Sequence, residues 1–387
     1  MVILTLPTAG YFLLKNPNVQ DFLVVRLTDI FSRELDTKFE IKNVNYELFN
    51  KLTLHDVYIE DQSGDSLLIS KTITGHLDLL DLRDRRLYFK KLQIDDARIH
   101  LQNDTSKSIN IKFLIDALKR KDTTKQRMHV KFNQLTINNS TFQYTTNKPP
   151  KEDYGMDFNR IKLNNFNFHI ENFDSDSGKV HFNLSEISFR DKSGFKLLDL
   201  DTRVFIHPNK GGFEGMTLRT PYSYINADSI ILEHGGYHNF NNFFNKVRLN
   251  IDIKRSNLGF HDLAFFTPSF HGIPNQNFVF SGKLKGTISS LKGKDVYAAM
   301  GKHTEIKTSF NTDGLPDISK TFLYVDIERF HTGLSDINLV NAILPDSKTI
   351  NIPENLNNLG LIKYKGNFTG FIDDFVAYGN LITAMGE

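Results

Sequence analysis

Histidines, carboxylates and glycine-rich turns are the groups that could carry chemistry here, because the 387-residue chain has no cysteine. That excludes a thiolate nucleophile, a Cys-based zinc site and any disulfide. The 13 histidines are scattered singly. The closest pair, His234 and His238, could offer two imidazoles to a metal, but it brackets Gly235-Gly236 and so suits a turn better than one helix face. DSDSGK at 174–179 has the alternating carboxylates of a calcium loop. Lys179 stands where the sixth-position glycine belongs, and Ser185 where the bidentate glutamate belongs. SGKLKGT at 281–287 is glycine-rich, as a phosphate cradle would be, yet contains no Gly-Lys-Ser/Thr. Neither G-x-S-x-G nor H-E-x-x-H occurs. The sequence thus supplies no catalytic residue, metal ligand or cofactor site, and the expectation is a protein that is not an enzyme.

One motif is written twice. YIEDQSGDSLLI at 58–69 is echoed by SFRDKSGFKLLD at 188–199. Asp61, Ser63, Gly64, Leu67 and Leu68 recur as Asp191, Ser193, Gly194, Leu197 and Leu198. Asp, Ser and Gly are what a tight hairpin needs, for local side-chain hydrogen bonds and for positive φ. The pattern predicts a structural turn between two strands.

The elements around these motifs follow from periodicity. MVILTLPTAGYFLL at 1–14 is apolar and followed by Lys15. It is shorter than the ~20 apolar residues a bilayer span needs. It reads either as a buried element or as the remnant of a membrane anchor over 1–15, and the anchor is the expectation. In 16–36, Val19, Phe22, Leu23, Leu27, Ile30, Phe31 and Leu35 recur at helical spacing, with Asn16 and Pro17 placed as cap and first helical residue. This amphipathic helix could lie on a membrane or cover the end of a sheet. From 37 onwards the period is two, with polar and apolar residues alternating, which predicts half-buried antiparallel strands. Short helices are expected at 109–120, 261–270 and 335–345. A net charge of +2 gives no footprint for nucleic acid.

A longer repeat closes the chain. Pro274, Gly282, Gly286, Ile288 and Met300-Gly301 reappear as Pro353, Gly366, Gly370, Ile372 and Met385-Gly386. Such self-similarity marks a stacked architecture. It divides the β-region into 37–257 and two repeated units, 258–333 and 334–387, the second reading as cut short.

What remains is an apolar stripe. Ile99, Leu101, Val130, Phe132, Phe166, Phe168, Ile170, Phe182, Leu184, Val247, Leu249, Ile251, Ile253, Leu323, Val325 and Ile327 each fall on one face of a predicted strand. They could form the core of a sandwich covered by a second sheet, or line an open groove. Periodicity alone cannot separate the two and puts the sandwich first.

The order of several segments is similar to the N-terminal part of the TamB (translocation and assembly module) family of the AsmA-like superfamily, in its Bacteroidetes form. They are NPNVQDFLVVRLTDIFSRELDTKFEIKNV, LTLHDVYIEDQSGDSLL, INIKFLIDAL, LRTPYSYINADSIIL, and G-K-L-K-G-T-I with T-D-G-L-P-D-I. The resemblance covers essentially the whole chain. It lacks a full anchor and the family's C-terminal domain. It implies a long, twisted antiparallel sheet curled into an open, taco-like trough of repeating β units, with the N-terminal amphipathic helix and short crossover helices. It further implies a periplasmic protein of a Gram-negative bacterium, anchored in the inner membrane by its N-terminus. The sixteen stripe residues would then contact phospholipid acyl chains on their way towards the outer membrane. An alternative is assembly of outer-membrane proteins with an Omp85-type partner. A sandwich or solenoid binding module is a further alternative, against which the absence of tryptophan weighs.

Overall fold

The computed structural model describes residues 16–47, 50–81, 86–103, 109–119, 129–150, 154–176, 178–267, 270, 276–343 and 359–386. The expected anchor at 1–15 lies outside them. Packing divides the chain into two units, 1–174 with 182–196, and 175–181 with 197–387. The internal repeat beginning at 258 falls wholly within the second.

Helix α1 (Pro17–Leu35) begins as its sequence predicts, with the Asn16 side chain accepting the Asn18 amide at 3.0 Å and Pro17 in the first turn. It ends where Asp36 turns left-handed at φ 52°. Strands β1 (Phe39–Glu40), β2 (Asn43–Glu47), β3 (Lys51–Glu60), β4 (Ser66–Asp81) and β5 (Arg86–Asn103) follow. After α2 (Lys112–Lys119) come β6 (His129–Thr146), β7 (Arg160–Asp176), β8 (Lys179–Asp191) and β9 (Lys196–Leu197). Next are β10 (Asp199–His207), β11 (Lys210–Arg219) and β12 (Tyr224–Glu233), then α3 (Phe243–Lys246) and β13 (Arg248–Gly259). The repeated region holds α4 (Phe260–Leu263), β14 (Asn277–Gly286), β15 (Ser290–Met300), β16 (Thr304–Asp313), β17 (Phe322–Gly333), α5 (Leu334–Ile343), β18 (Leu361–Gly370) and β19 (Phe375–Ile382).

The 19 strands belong to one open sheet that is not closed into a barrel. Its pairings are antiparallel with one correction to the sequence-based expectation: β5 and β6 run parallel, Ile94 beside Ile137 and Ile99 beside Phe142. A parallel pair needs a crossover of a dozen or more residues, and the α2-containing connection supplies it. The two D-x-S-G segments are the same turn. Asp61 Oδ1 accepts the Ser63 amide and Asp191 Oδ1 the Ser193 amide, both at 2.8 Å. Gly64 and Gly194 take φ of 86° and 100°. The repeated Leu67 and Leu197 are both buried beside their turns.

In the first unit the core is local. Leu23, Val24, Leu27, Phe31 and Leu35 of α1 pack on Phe39, Ile41, Val44, Leu54, Val57 and Ile59 of the first strands. Val44 and Val57 have no exposed surface at all.

Mid-strand kinks at positive φ recur from strand to strand, several of them with a shift of register. Asp56, Asp96, Asn139, Asn165 and Glu186 have positive φ in β3, β5, β6, β7 and β8. In the second unit, Gly215, Gly282, Asp295 and Gly366 do so in β11, β14, β15 and β18. Asn and Asp tolerate the left-handed conformation that a branched residue resists. A bulge bends its strand and leaves ladder groups unpaired. Buried hydroxyls take up those groups. Ser140 donates to the Asn138 carbonyl at 2.8 Å and accepts the Ala97 amide at 3.0 Å. Ser70 donates to the Asp95 carbonyl, Ser256 to those of Lys254 and Asn226, and Thr308 to that of Asp326. Ser140→Ala should therefore destabilise the first unit by about 1–2 kcal/mol, the cost of a buried amide left without its acceptor. A urea midpoint indistinguishable from wild type would show that the hydroxyl carries none of this load.

Candidate functional site

The bulges set which residues share a face. Strand alternation alone would put Ile94 and Ile99 on opposite sides, five residues apart. The left-handed kink at Asp96, φ 50°, returns both to the same one without shifting the register to β4 or β6. With that correction, apolar residues line up across the sheet.

In the first unit Val44, Leu54, Ile73, Ile94, Ile137 and Phe168 lie opposite one another on successive strands. A second row runs Phe39, Ile59, Leu68, Ile99, Phe142 and Leu163. The other face carries Thr53, Thr74, Gln93, Thr136 and His169 in equivalent register.

The second unit extends the device over ten strands. Val204, Phe213, Ile230, Ile251, Leu284, Gly293, Phe310, Val325, Phe368 and Ala377 form one cross-strand row. At strand spacing it is roughly 40 Å long. Its one gap is closed, because the Phe310 ring lies over Gly293. Phe278 stacks on Phe280 at 5.6 Å and Phe368 on Phe375 at 4.5 Å along the same face. The opposite face is charged: Lys254 meets Asp228 at 2.5 Å, Lys283 meets Asp252 at 2.7 Å and Lys307 meets Glu328 at 2.7 Å.

The row in the second unit is apolar and, apart from the buried Val204 and Gly293, only partly closed off. Ile230, Ile251, Leu284, Phe310, Val325 and Phe368 are half-buried, and Phe213 is exposed. Residues inside a sandwich core would be closed off, as Val44 and Val57 are beneath α1. Among the described residues no second sheet is present.

The structure brings most of the stripe residues together on these faces. Ile99, Phe168, Ile251 and Val325 are members of the rows above. Leu101 lies beside Tyr144, and Ile170 opposite Leu135. Phe166 stacks on Phe168 at 5.8 Å. Phe132 stacks on Phe173 at 5.3 Å, and Phe173 on Phe182 at 6.2 Å. Ile253 faces Gly282, Leu323 faces Gly370 and Ile327 faces Gly366. Leu184 is half-buried, while Val247 and Leu249 are buried. The side chain of Val130 lies outside the described residues. Sequence periodicity missed Leu54, Ile73, Ile94, Ile137, Ile230, Leu284, Phe310 and Phe368. The signal that would have found them is the polar pair interrupting each run, as in IDDAR, INNST and LNNFN.

Among the described residues no three metal-ligating side chains cluster. His234 is buried against Phe240, their ring centroids 5.0 Å apart. A cavity of about 570 Å³ lies at the Asp61 turn, between Gln62, Asn110, Phe113 and Asp116. Among the described residues no helix is long and apolar enough to cross a membrane. Comparison with protein-family models and with curated proteins finds no match.

Proposed function

We propose that this chain is a non-enzymatic conduit for phospholipid acyl chains. The observation that carries the reading is the ten-strand apolar row of the second unit, continuous in register and left half-exposed. Each CH₂ of an acyl chain held out of water is worth about 0.8 kcal/mol. A row that repeats every strand offers nearly equal sites along its length, so a chain can move without meeting a single deep trap. The aligned bulges support a sheet curled around that row, which is the taco-like trough of the resemblance. Helix α1, packed over the first strands, is suited to cover the beginning of the first unit's sheet.

The rival occupant is an unfolded outer-membrane protein. The apolar face offers it little. Its peptide groups would lose water against Ile, Leu, Val and Phe, and the facing backbone is already engaged in the ladder. An acyl chain has no such groups. By resemblance, the chain works in the periplasm, anchored in the inner membrane through its N-terminus, and delivers lipid towards the outer membrane.

The test is native mass spectrometry with lipid extraction on the purified chain. Several phospholipids per molecule are expected. A lipid-free protein that stays compact would mean that the apolar faces cover one another, and the conduit would be abandoned.

A further inference from the structure

On the charged face of the second unit, β14 and β15 bring four lysines together. Lys283 lies opposite Lys294, and Lys285 opposite Lys292. All four are exposed. Lys283 is paired with Asp252, but among the described residues Lys285, Lys292 and Lys294 have no ion-pair partner. Like charges directly opposite one another weaken a ladder.

The internal repeat shows that the fold does not require them. With Gly282 and Gly286 matched to Gly366 and Gly370, the four lysine positions become Asn367, Thr369, Val376 and Tyr378. The second copy builds the same pair of strands with no charge at any of these positions. The lysine square is therefore carried for something other than strand pairing.

Its surroundings indicate what it meets. The turn joining β14 to β15 donates its Ser289 amide to the Phe244 carbonyl at 3.0 Å, which ties the 237–246 loop to the lysines. In that loop Phe240 is 40% and Phe244 47% exposed. Lysine is a point charge on a flexible stem, suited to a surface of many anions rather than to one shaped ligand. Exposed phenylalanines in a loop tied to the lysine-bearing hairpin match the boundary between lipid headgroups and acyl chains.

We propose that Lys283, Lys285, Lys292 and Lys294, with Phe240 and Phe244, seat the second unit on an anionic phospholipid bilayer. This goes beyond the conduit and does not depend on it. Flotation of the full chain with vesicles tests it, using phosphatidylcholine alone or with about a third phosphatidylglycerol. Binding is expected only to the anionic vesicles and should fall as salt rises. Lys285→Gln with Lys292→Gln should weaken it roughly 30-fold. The same double variant should melt no lower than wild type, because it removes one opposed pair of like charges. Equal binding to neutral vesicles, or unchanged binding by the double variant, would overturn the proposal. So would capture by polyglutamate in place of vesicles, which would make an acidic protein the partner.

Discussion

Val325→Asp should empty the middle of the apolar row, while Tyr324→Asp, one residue away, should leave it filled. Val325 lies between Phe310 and Phe368 on the apolar face, and Tyr324 between Asn311 and Thr369 on the other. A carboxylate in the row keeps its water and denies an acyl chain about four CH₂ contacts, some 3 kcal/mol or about a 100-fold loss of local occupancy. Native mass spectrometry of the two variants should show fewer bound phospholipids for Val325→Asp and wild-type numbers for Tyr324→Asp. Val325 is half-buried and Tyr324 is 44% exposed, so neither change places a charge in a closed core. Matching circular dichroism spectra would confirm that both variants keep the sheet. If the two variants bind equal amounts of lipid, the row is not the lipid path. If Val325→Asp fails to fold while Tyr324→Asp folds, the apolar face is an ordinary core.

How far the sequence reached can be judged at single residues. Helix α1 was legible because Asn16-Pro17 and a 3.6-residue apolar stripe agree. The D-x-S-G turns were legible because Asp61 and Asp191 make local hydrogen bonds, which local sequence encodes. The β class was legible from alternation. The parallel pairing of β5 with β6 was not, since the choice of strand neighbour depends on how the α2 crossover packs. The set on the apolar face was only partly legible for a related reason. The left-handed residue Asp96 flips the parity of β5, so Ile99 was found and Ile94 was not, although both face the same way. Leu249 was assigned to the same stripe as Ile251 but is buried, which depends on neighbours from other segments.

The internal repeat also hides a clasp, and breaking it should be costly. Asp262 and Asp336 hold equivalent positions just after β13 and β17. Each reaches back to the turn of the hairpin preceding its own strand. Asp262 accepts the hydroxyls of Thr220 and Ser223, the latter at 2.5 Å. Asp336 accepts the amides of Lys302, His303 and Thr304 at 3.2, 2.6 and 2.8 Å. Gly301 leaves the room, since a Cβ there would strike the Asp336 carboxylate. Asp336→Ala would take the shared acceptor from three amides, two of them on exposed residues that water can reach, so the second unit should lose about 1–2 kcal/mol. The loss should depend on pH. Burial pushes the Asp336 carboxyl up, but the His303, Lys302 and Thr304 amides together hold it below its usual value. A carboxyl lowered by folding adds stability that is full above its unfolded pKa of about 3.9 and disappears as pH falls through the folded value. Urea unfolding at pH 7 should therefore separate wild type from Asp336→Ala by the full amount, and the gap should narrow in acid below the unfolded pKa. Asp336→Asn should retain part of the stability through its amide oxygen while losing this share of the acid dependence. A gap between wild type and Asp336→Ala that is the same at neutral and acid pH would mean that the charge of the clasp contributes nothing. Asp262→Ala tests the other copy. The two clasps share no hydrogen-bond partner, so the double variant should lose close to the sum of the single losses.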